Sequence, residues 1–192
     1  MSIRARFEDA HFLLANGRFD GALLNILVAI AATSRKRYPS GSGVNDRTAF
    51  NTFMHDELIV FTHGAIAENF ELRVPGADKR HYPDEVMRVE DLFYTYVRCA
   101  LAHEGALPAN VRFKQAESGA FSQDIQEDYI ELSTTYFDGL AKVVQFAREN
   151  TDEFPEHKEL PDDVLSWLLF GARRENEKHK RYIDDRRKHL AV

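Results

Sequence analysis

The sequence predicts a mainly α-helical protein, an up-and-down helical bundle with a short β-hairpin insertion around residues 110–131 and a C-terminal helical extension. Three observations predict it. Apolar residues recur at three-or-four-residue spacing through most of the first 105 positions, the period of a helix with one buried face. Breakers at Asn16-Gly17, Pro39 to Gly43, Pro75-Gly76, Tyr82-Pro83 and Gly105 cut that pattern into helix-length pieces. A hydrophobic content of 44% in 192 residues is enough for one substantial core, whereas two full domains would be cramped. The expected organisation is a helical domain over residues 1–155, with a helix and charged tail over residues 156–192 packed on it or extending from it.

Phe7 to Asn16 reads as a first helix and Phe19 to Tyr38 as a second. The second is apolar nearly all round between Ala22 and Ala32, which predicts a path through the centre of the bundle. Asp46 is a good N-cap for a third helix, in which Phe50, Phe53, Met54, Leu58 and Phe61 define a buried stripe ending at His63-Gly64. Leu72 to Pro83 reads as a loop. A fourth helix is expected from about Asp84 to His103, with Leu92, Phe93, Tyr96, Val97, Ala100 and Leu101 inward and Gly105 as a left-handed cap. After Pro108 the period changes. Val111 and Phe113 alternate with polar residues, Ser118-Gly119 is a turn signal, and Ile125 and Tyr129-Ile130 follow, which gives the hairpin. A fifth helix, about Glu131 to Glu149, carries Leu132, Tyr136, Leu140, Val143, Val144 and Phe146; a last one begins near Asp162 with Val164, Leu165, Trp167, Leu168 and Phe170.

Composition narrows the functional classes. A single cysteine, Cys99, excludes an intramolecular disulfide and a multi-cysteine zinc site, and fits a reducing compartment. The N-terminus lacks the apolar core of a signal peptide, and the run from Ala22 to Ala32, interrupted by Asn25, is too short to cross a bilayer. A cytoplasmic protein without a membrane partner is expected. The net charge of -6 argues against a general nucleic-acid coat. Arg173 to Lys188 holds eight Lys and Arg against four Asp and Glu, a +4 segment that reads as a solvated helix of mixed charge. No glycine-rich phosphate loop is present and no cofactor is expected.

The fourth helix ends Tyr94-Thr95-Tyr96-Val97-Arg98-Cys99-Ala100-Leu101-Ala102-His103-Glu104-Gly105. With 17 Arg and 8 His in the chain, any one Arg-to-His separation recurs by chance about 0.7 times, so position rather than spacing gives this pair its interest. Arg98 stays charged and can grip two phosphate oxygens at once. His103 has both protonation states within reach near neutrality. Five residues of regular helix turn about 500°, which sets the two side chains about 140° apart. A second copy of the chain, or a frayed helix end, is needed to bring them to one phosphate. Glu104 either orients His103 or is an exposed carboxylate, Tyr94, one turn before Arg98, reads as core with its hydroxyl facing the cleft as the lesser option, and Asn25 is the polar residue inside the apolar second helix, bonded to backbone or orienting Arg98. The alternative for the pair is structural: Arg98 bridging to Glu90, Asp91 or another carboxylate, and His103 capping the last helical carbonyls.

This layout resembles the HEPN superfamily, helical domains named for higher eukaryotic and prokaryotic nucleotide binding. The likeness rests on the apolar helix Ala22 to Tyr38 with its basic end Arg35-Lys36-Arg37, the Phe-rich third helix, and Arg98-Cys99-Ala100-Leu101-Ala102-His103 closing the fourth. The resemblance implies a homodimer whose two protomers contribute an Arg and a His to a composite cleft. It implies a metal-independent ribonuclease or RNA-processing effector of the toxin or defence type, with RNA and an antitoxin or other protein as partners. Cys99 stands where active members often carry a polar residue. The implied alternative is a noncatalytic module that dimerises and binds RNA, a nucleotide or a protein. A third class, metal-dependent hydrolysis using His55, Asp56 and His63, has no recognised ligand spacing behind it.

Overall fold

The structure is a computed structural model that describes residues 2–64, 69–116, 121–157, 160, 164–166, 180–182, 184 and 185. It is mainly α-helical. Helix α1 (Ile3–Ala15) is capped by the Ser2 hydroxyl, which accepts from the Ala5 N–H, and stops at Asn16-Gly17 as expected, Gly17 taking φ +69°. Helix α2 (Phe19–Arg37) buries Ala22, Leu23, Ile26, Leu27, Ala29 and Ile30 and packs between α1, α3 and α7. Helix α3 (Asp46–Asp56) begins one residue earlier than a cap at Asp46 would require: Asn45 is the cap, its side-chain oxygen accepting from the Thr48 N–H. Phe50, Phe53 and Met54 of α3, with Leu58 and Phe61 of the short α4 (Leu58–Phe61), form the predicted buried stripe. The chain then turns at His63 and Gly64, both at positive φ.

The region after α4 departs from the sequence reading. Leu72 to Pro83 is not all loop, because β1 (Glu71–Arg73) pairs antiparallel with β2 (Val86–Arg88), Leu72 opposite Met87, both buried. Strands of three residues carry too few positions to display a period of two. The fourth helix accordingly starts at Val89 rather than Asp84; Asp84 and Glu85 sit at φ +59° and +63° in the turn feeding β2. Helix α5 (Val89–Asp91), a π-helical stretch (Leu92–Arg98) and α6 (Cys99–His103) follow without interruption, with helical angles at Asp91, Leu92, Arg98 and Cys99.

The expected hairpin at 110–131 is a three-stranded sheet. Strand β5 (Ile130–Ser133) is central, parallel to β3 (Val111–Lys114) and antiparallel to β4 (Gln123–Ile125). Ser118-Gly119 lies outside the described residues. Because Ile130 to Ser133 are extended, the fifth helix is shorter than predicted: α7 spans Thr135–Gln145. Ile130 and Leu132 alternate inward about Glu131, which the helical periodicity of the following segment disguises.

Helix α7 lies so close to α4 that a Cβ at Gly139 would fall on the Phe61 carbonyl oxygen and sit 3.0 Å from the Phe121 ring. Gly139→Ala is therefore expected to destabilise the fold by about 1–3 kcal/mol despite alanine's better helix propensity, measurable by urea unfolding. Around this contact Phe61, Phe93, Phe121 and Tyr136 pack edge to face or tilted, and Tyr136 donates to Gln123 Oε1 at 2.8 Å.

The basic end of α2 is consumed inside the fold. Arg35 bonds Asp46 and the Tyr38 and Val44 carbonyls, and Lys36 reaches Glu153 and Asn150. Arg37, with its side chain only 9% exposed, lies between Glu57 at 2.5 Å and Glu149 at 2.7 Å, with Asp56 at 3.3 Å and the Phe53 ring beneath it at 4.6 Å. Tyr182 of the C-terminal extension donates to the other oxygen of Glu57 at 2.9 Å, and Val164 packs on Ile59, so these two residues of the extension meet the chain at the junction of α3 and α4. Trp167, Leu168 and Phe170 lie outside the described residues, as does most of the +4 tail.

Burial pushes the Glu149 carboxyl up, but the hydrogen bond and charge of Arg37 outweigh it and leave the group below its ordinary value. The unfolded chain then binds the proton more readily than the folded one. Stability from this pair is complete above about pH 5 and declines as pH falls through the ordinary carboxylate value near 4.3 and below. Unfolding midpoints measured from pH 7 to pH 3 are expected to fall in that window, with a shallower fall in Glu149→Gln.

Candidate functional site

The candidate pair of the sequence, Arg98 and His103, lies along the continuous helix from Val89 to His103. A π-helical stretch widens the turn and re-aims the side chains on it, and such stretches concentrate at functional sites. Here it leaves Leu92, Phe93 and Val97 buried and turns Thr95 and Tyr96 toward the surface, where both contribute to two neighbouring cavities. One, of about 360 Å³, is walled by Thr95, Tyr96, Cys99, His103, Glu104 and Pro108. The other, of about 490 Å³, lies between α3, the β1–β2 ribbon and the π stretch, with Arg47, His81, Tyr82, Arg88 and Asp91 in its wall.

His103 is exposed on the last turn of α6, and Gly105 takes φ +74°, the left-handed cap expected there. Glu104, exposed, and Cys99, half-buried, share its cleft. Arg98 is not in the wall of that cleft. Its guanidinium lies 5.1 Å above the Tyr94 ring, and Tyr94 in turn packs on Phe50 at 5.1 Å, so Tyr94 serves as a platform rather than a cleft residue. The separation of Arg98 from the His103 cleft agrees with the angle that the spacing implies.

Neither residue is absorbed by the structural roles open to it. Glu90 faces His55, and Asp91 accepts from Arg47 and Asn51, each at 2.8 Å. Arg98 has no carboxylate partner among the described residues, and its Nε is buried without a hydrogen bond. The last turn of α6 is closed by backbone, the Glu104 N–H donating to the Ala100 carbonyl at 2.7 Å. Asn25 stands apart from this helix in its bonding: it donates to the Gly21 carbonyl and accepts from Arg6, tying α1 to α2. The residues of the third class are engaged separately, His55 with Glu90, Asp56 with Arg37 and Tyr38, and His63 edge-on to Phe121.

A family model matches residues 2–169. The chain belongs to the Rv1289 family. That match spans the whole helix from Val89 to His103, both cavities and the three-stranded sheet. No curated protein and no solved structure matches the chain.

The sequence did not disclose the contact between His55 and Glu90. In the sequence Glu90 is a candidate partner of Arg98, yet it is 3% exposed and faces His55. The available signal was its position two residues before Leu92-Phe93, within one turn of a fully buried face.

Proposed function

We propose that the chain is a HEPN-like helical module in which Arg98 and His103 form half of a composite RNA-phosphate site, completed by a second copy related by a two-fold axis. The single observation that carries it is the uncommitted state of both residues: the intramolecular carboxylates near Arg98 are taken by other partners, and His103 is exposed and unbonded among the described residues. Their divergence within one chain calls for a partner, and a symmetric dimer would supply His103 of one copy to Arg98 of the other.

The chemistry this supports is metal-independent transesterification. A base removes the proton from a ribose 2′-hydroxyl, the 2′-oxygen attacks the adjacent phosphorus, and the 5′-oxygen leaves with a proton, which gives a 2′,3′-cyclic phosphate. His103 is the proton carrier and Arg98 offsets charge on the phosphorane-like transition state. An effector of the toxin or defence type, restrained by a protein partner such as an antitoxin, is the setting in which such an activity fits.

One observation favours a second reading, a noncatalytic module that dimerises and binds RNA, a nucleotide or a protein. Arg98 is seated on Tyr94, and Cys99 offers little hydrogen bonding in the cleft. Incubation of the dimer with RNA in the presence of a chelator separates the two. Cleavage that leaves a cyclic phosphate supports the nuclease; RNA retained uncut supports the second reading; a monomer without RNA affinity removes both.

A further inference from the structure

A second constellation lies apart from the Arg98–His103 cleft, between α3 and the junction of β2 with α5. A cavity of about 210 Å³ there is walled by Asn51, Thr52, His55, Arg88, Glu90 and Asp91. Three polar atoms of these residues are buried with no hydrogen-bond partner among the described residues: Glu90 Oε2, Asn51 Oδ1 and His55 Nδ1. The Glu90 side chain is 4% exposed, and a carboxylate taken so far out of water requires donors. Its Oε1 lies 3.4 Å from His55 Nδ1, which falls short of an aligned hydrogen bond, and Oε2 has nothing. Asp91 fixes the Asn51 amide: Nδ2 donates to Asp91 Oδ1 at 2.8 Å, so the amide oxygen is the end left over. With its proton on Nε2, His55 offers Nδ1 as a third acceptor beside these two oxygens.

The wall therefore calls for a donor, and its charges narrow the kind. Asp91 is balanced by Arg47 at 2.8 Å, whereas Glu90 faces only His55. Arg88, exposed at the end of β2, has no ion-pair partner among the described residues. A simple cation would answer Glu90 and leave Arg88 unmatched, and a simple anion would meet Arg88 against two carboxylates. A ligand that carries both charges answers both. Toward Glu90, one free carboxylate oxygen, one amide oxygen and one ring nitrogen suit the three N–H donors of a primary ammonium; a planar guanidinium would seek both oxygens of one carboxylate. Toward Arg88, the guanidinium fork suits a carboxylate. The volume leaves room for little beyond these two groups and a short side chain.

We infer that this cavity binds a small free α-amino acid, its ammonium on Glu90 Oε2 and Asn51 Oδ1 and its carboxylate on Arg88. The two oxygens are shut off from solvent, whereas the His55 side chain is 36% exposed and its Nδ1 is unbonded among the described residues. The ring is the part of the wall that shifts to admit the ligand, and it then accepts the third N–H. This site is independent of the composite Arg98–His103 site.

The test is titration of the full chain with glycine and with L-alanine, read by calorimetry and by NMR of the His55 ring nitrogens. Ethylamine, which carries the ammonium alone, and propionate, which carries the carboxylate alone, are titrated beside them. Glycine, alanine or both are expected to bind saturably and to shift the His55 signals, with ethylamine about tenfold weaker or more and propionate without effect. Arg88→Ala is expected to bring the amino acid down to the affinity of ethylamine while ethylamine itself binds no worse, a pattern that loss of fold would not produce. Glu90→Gln is expected to weaken amino acid and ethylamine alike, by about tenfold or more. Because Arg88 is exposed, its replacement leaves the fold intact even if Glu90→Gln unfolds. No saturable binding of either amino acid, ethylamine or propionate binding as tightly as they do, or an unchanged amino-acid affinity in Arg88→Ala overturns the inference.

Discussion

Arg37→Ala is expected to be the most damaging single substitution in the fold, lowering stability by about 3–5 kcal/mol, the range for removing one partner of a buried charge network. For a chain of this size that corresponds to a melting point about 6–20 °C lower. The guanidinium is 9% exposed and the facing carboxylates of Glu57 and Glu149 are 6% and 10% exposed, so its loss leaves Glu57 without its counter-charge away from water and Glu149 with Arg148 at 3.0 Å. The Phe53 ring would also lose the cation above it, and Tyr182 would bond a carboxylate with no counter-charge. Arg37→Lys keeps a charge but cannot reach Glu57 and Glu149 with separate nitrogens, and an intermediate loss is expected. Differential scanning calorimetry of the two variants checks the order.

The second large effect follows from the proposed ribonuclease reading. Arg98→Ala and His103→Ala are each expected to reduce RNA cleavage about 10²- to 10⁴-fold, the range for losing a positioned acid–base group or a transition-state charge partner. Stability should hardly change in His103→Ala, since the side chain is exposed and makes no hydrogen bond among the described residues. Arg98→Ala removes a half-buried side chain from the Tyr94 ring and should cost about 1 kcal/mol from cation–π contact and packing. Single-turnover cleavage rates beside unfolding curves keep the two effects apart. Loss of cleavage in proportion to loss of fold would mark both residues as structural.

The helices were legible because their signals are long. Phe50, Phe53, Met54, Leu58 and Phe61 keep helical spacing over three turns, and each is buried. Asn16-Gly17 and Gly105 announced helix ends by chemistry that few residues can replace, and both glycines take positive φ. Short strands were not legible: Glu71–Arg73 and Val86–Arg88 show no period, and only pairing across the ribbon makes them strands. Nor was the parallel pairing of Val111–Lys114 with Ile130–Ser133, which depends on an intervening strand taking the far edge. In the candidate site the divergence of Arg98 and His103 followed from helix geometry alone. Burial of Glu90 did not, because its closeness to the buried face of Leu92 and Phe93 was the one local sign, and a carboxylate between Val89 and Asp91 masks it. Arg35-Lys36-Arg37 stood out in the sequence as the basic end of the second helix, and tertiary contacts with Asp46, Glu57, Glu149 and Glu153 absorb it.

Mixing the two inactive variants tests the central claim most directly. If Arg98 of one copy works with His103 of the other, a heterodimer of Arg98→Ala with His103→Ala retains one intact pair. Random exchange makes about half of the dimers mixed, each with one of two pairs, so about a quarter of wild-type cleavage should return. Cleavage that stays at the sum of the two separate variants, with heterodimers demonstrably formed, would contradict a site shared between copies.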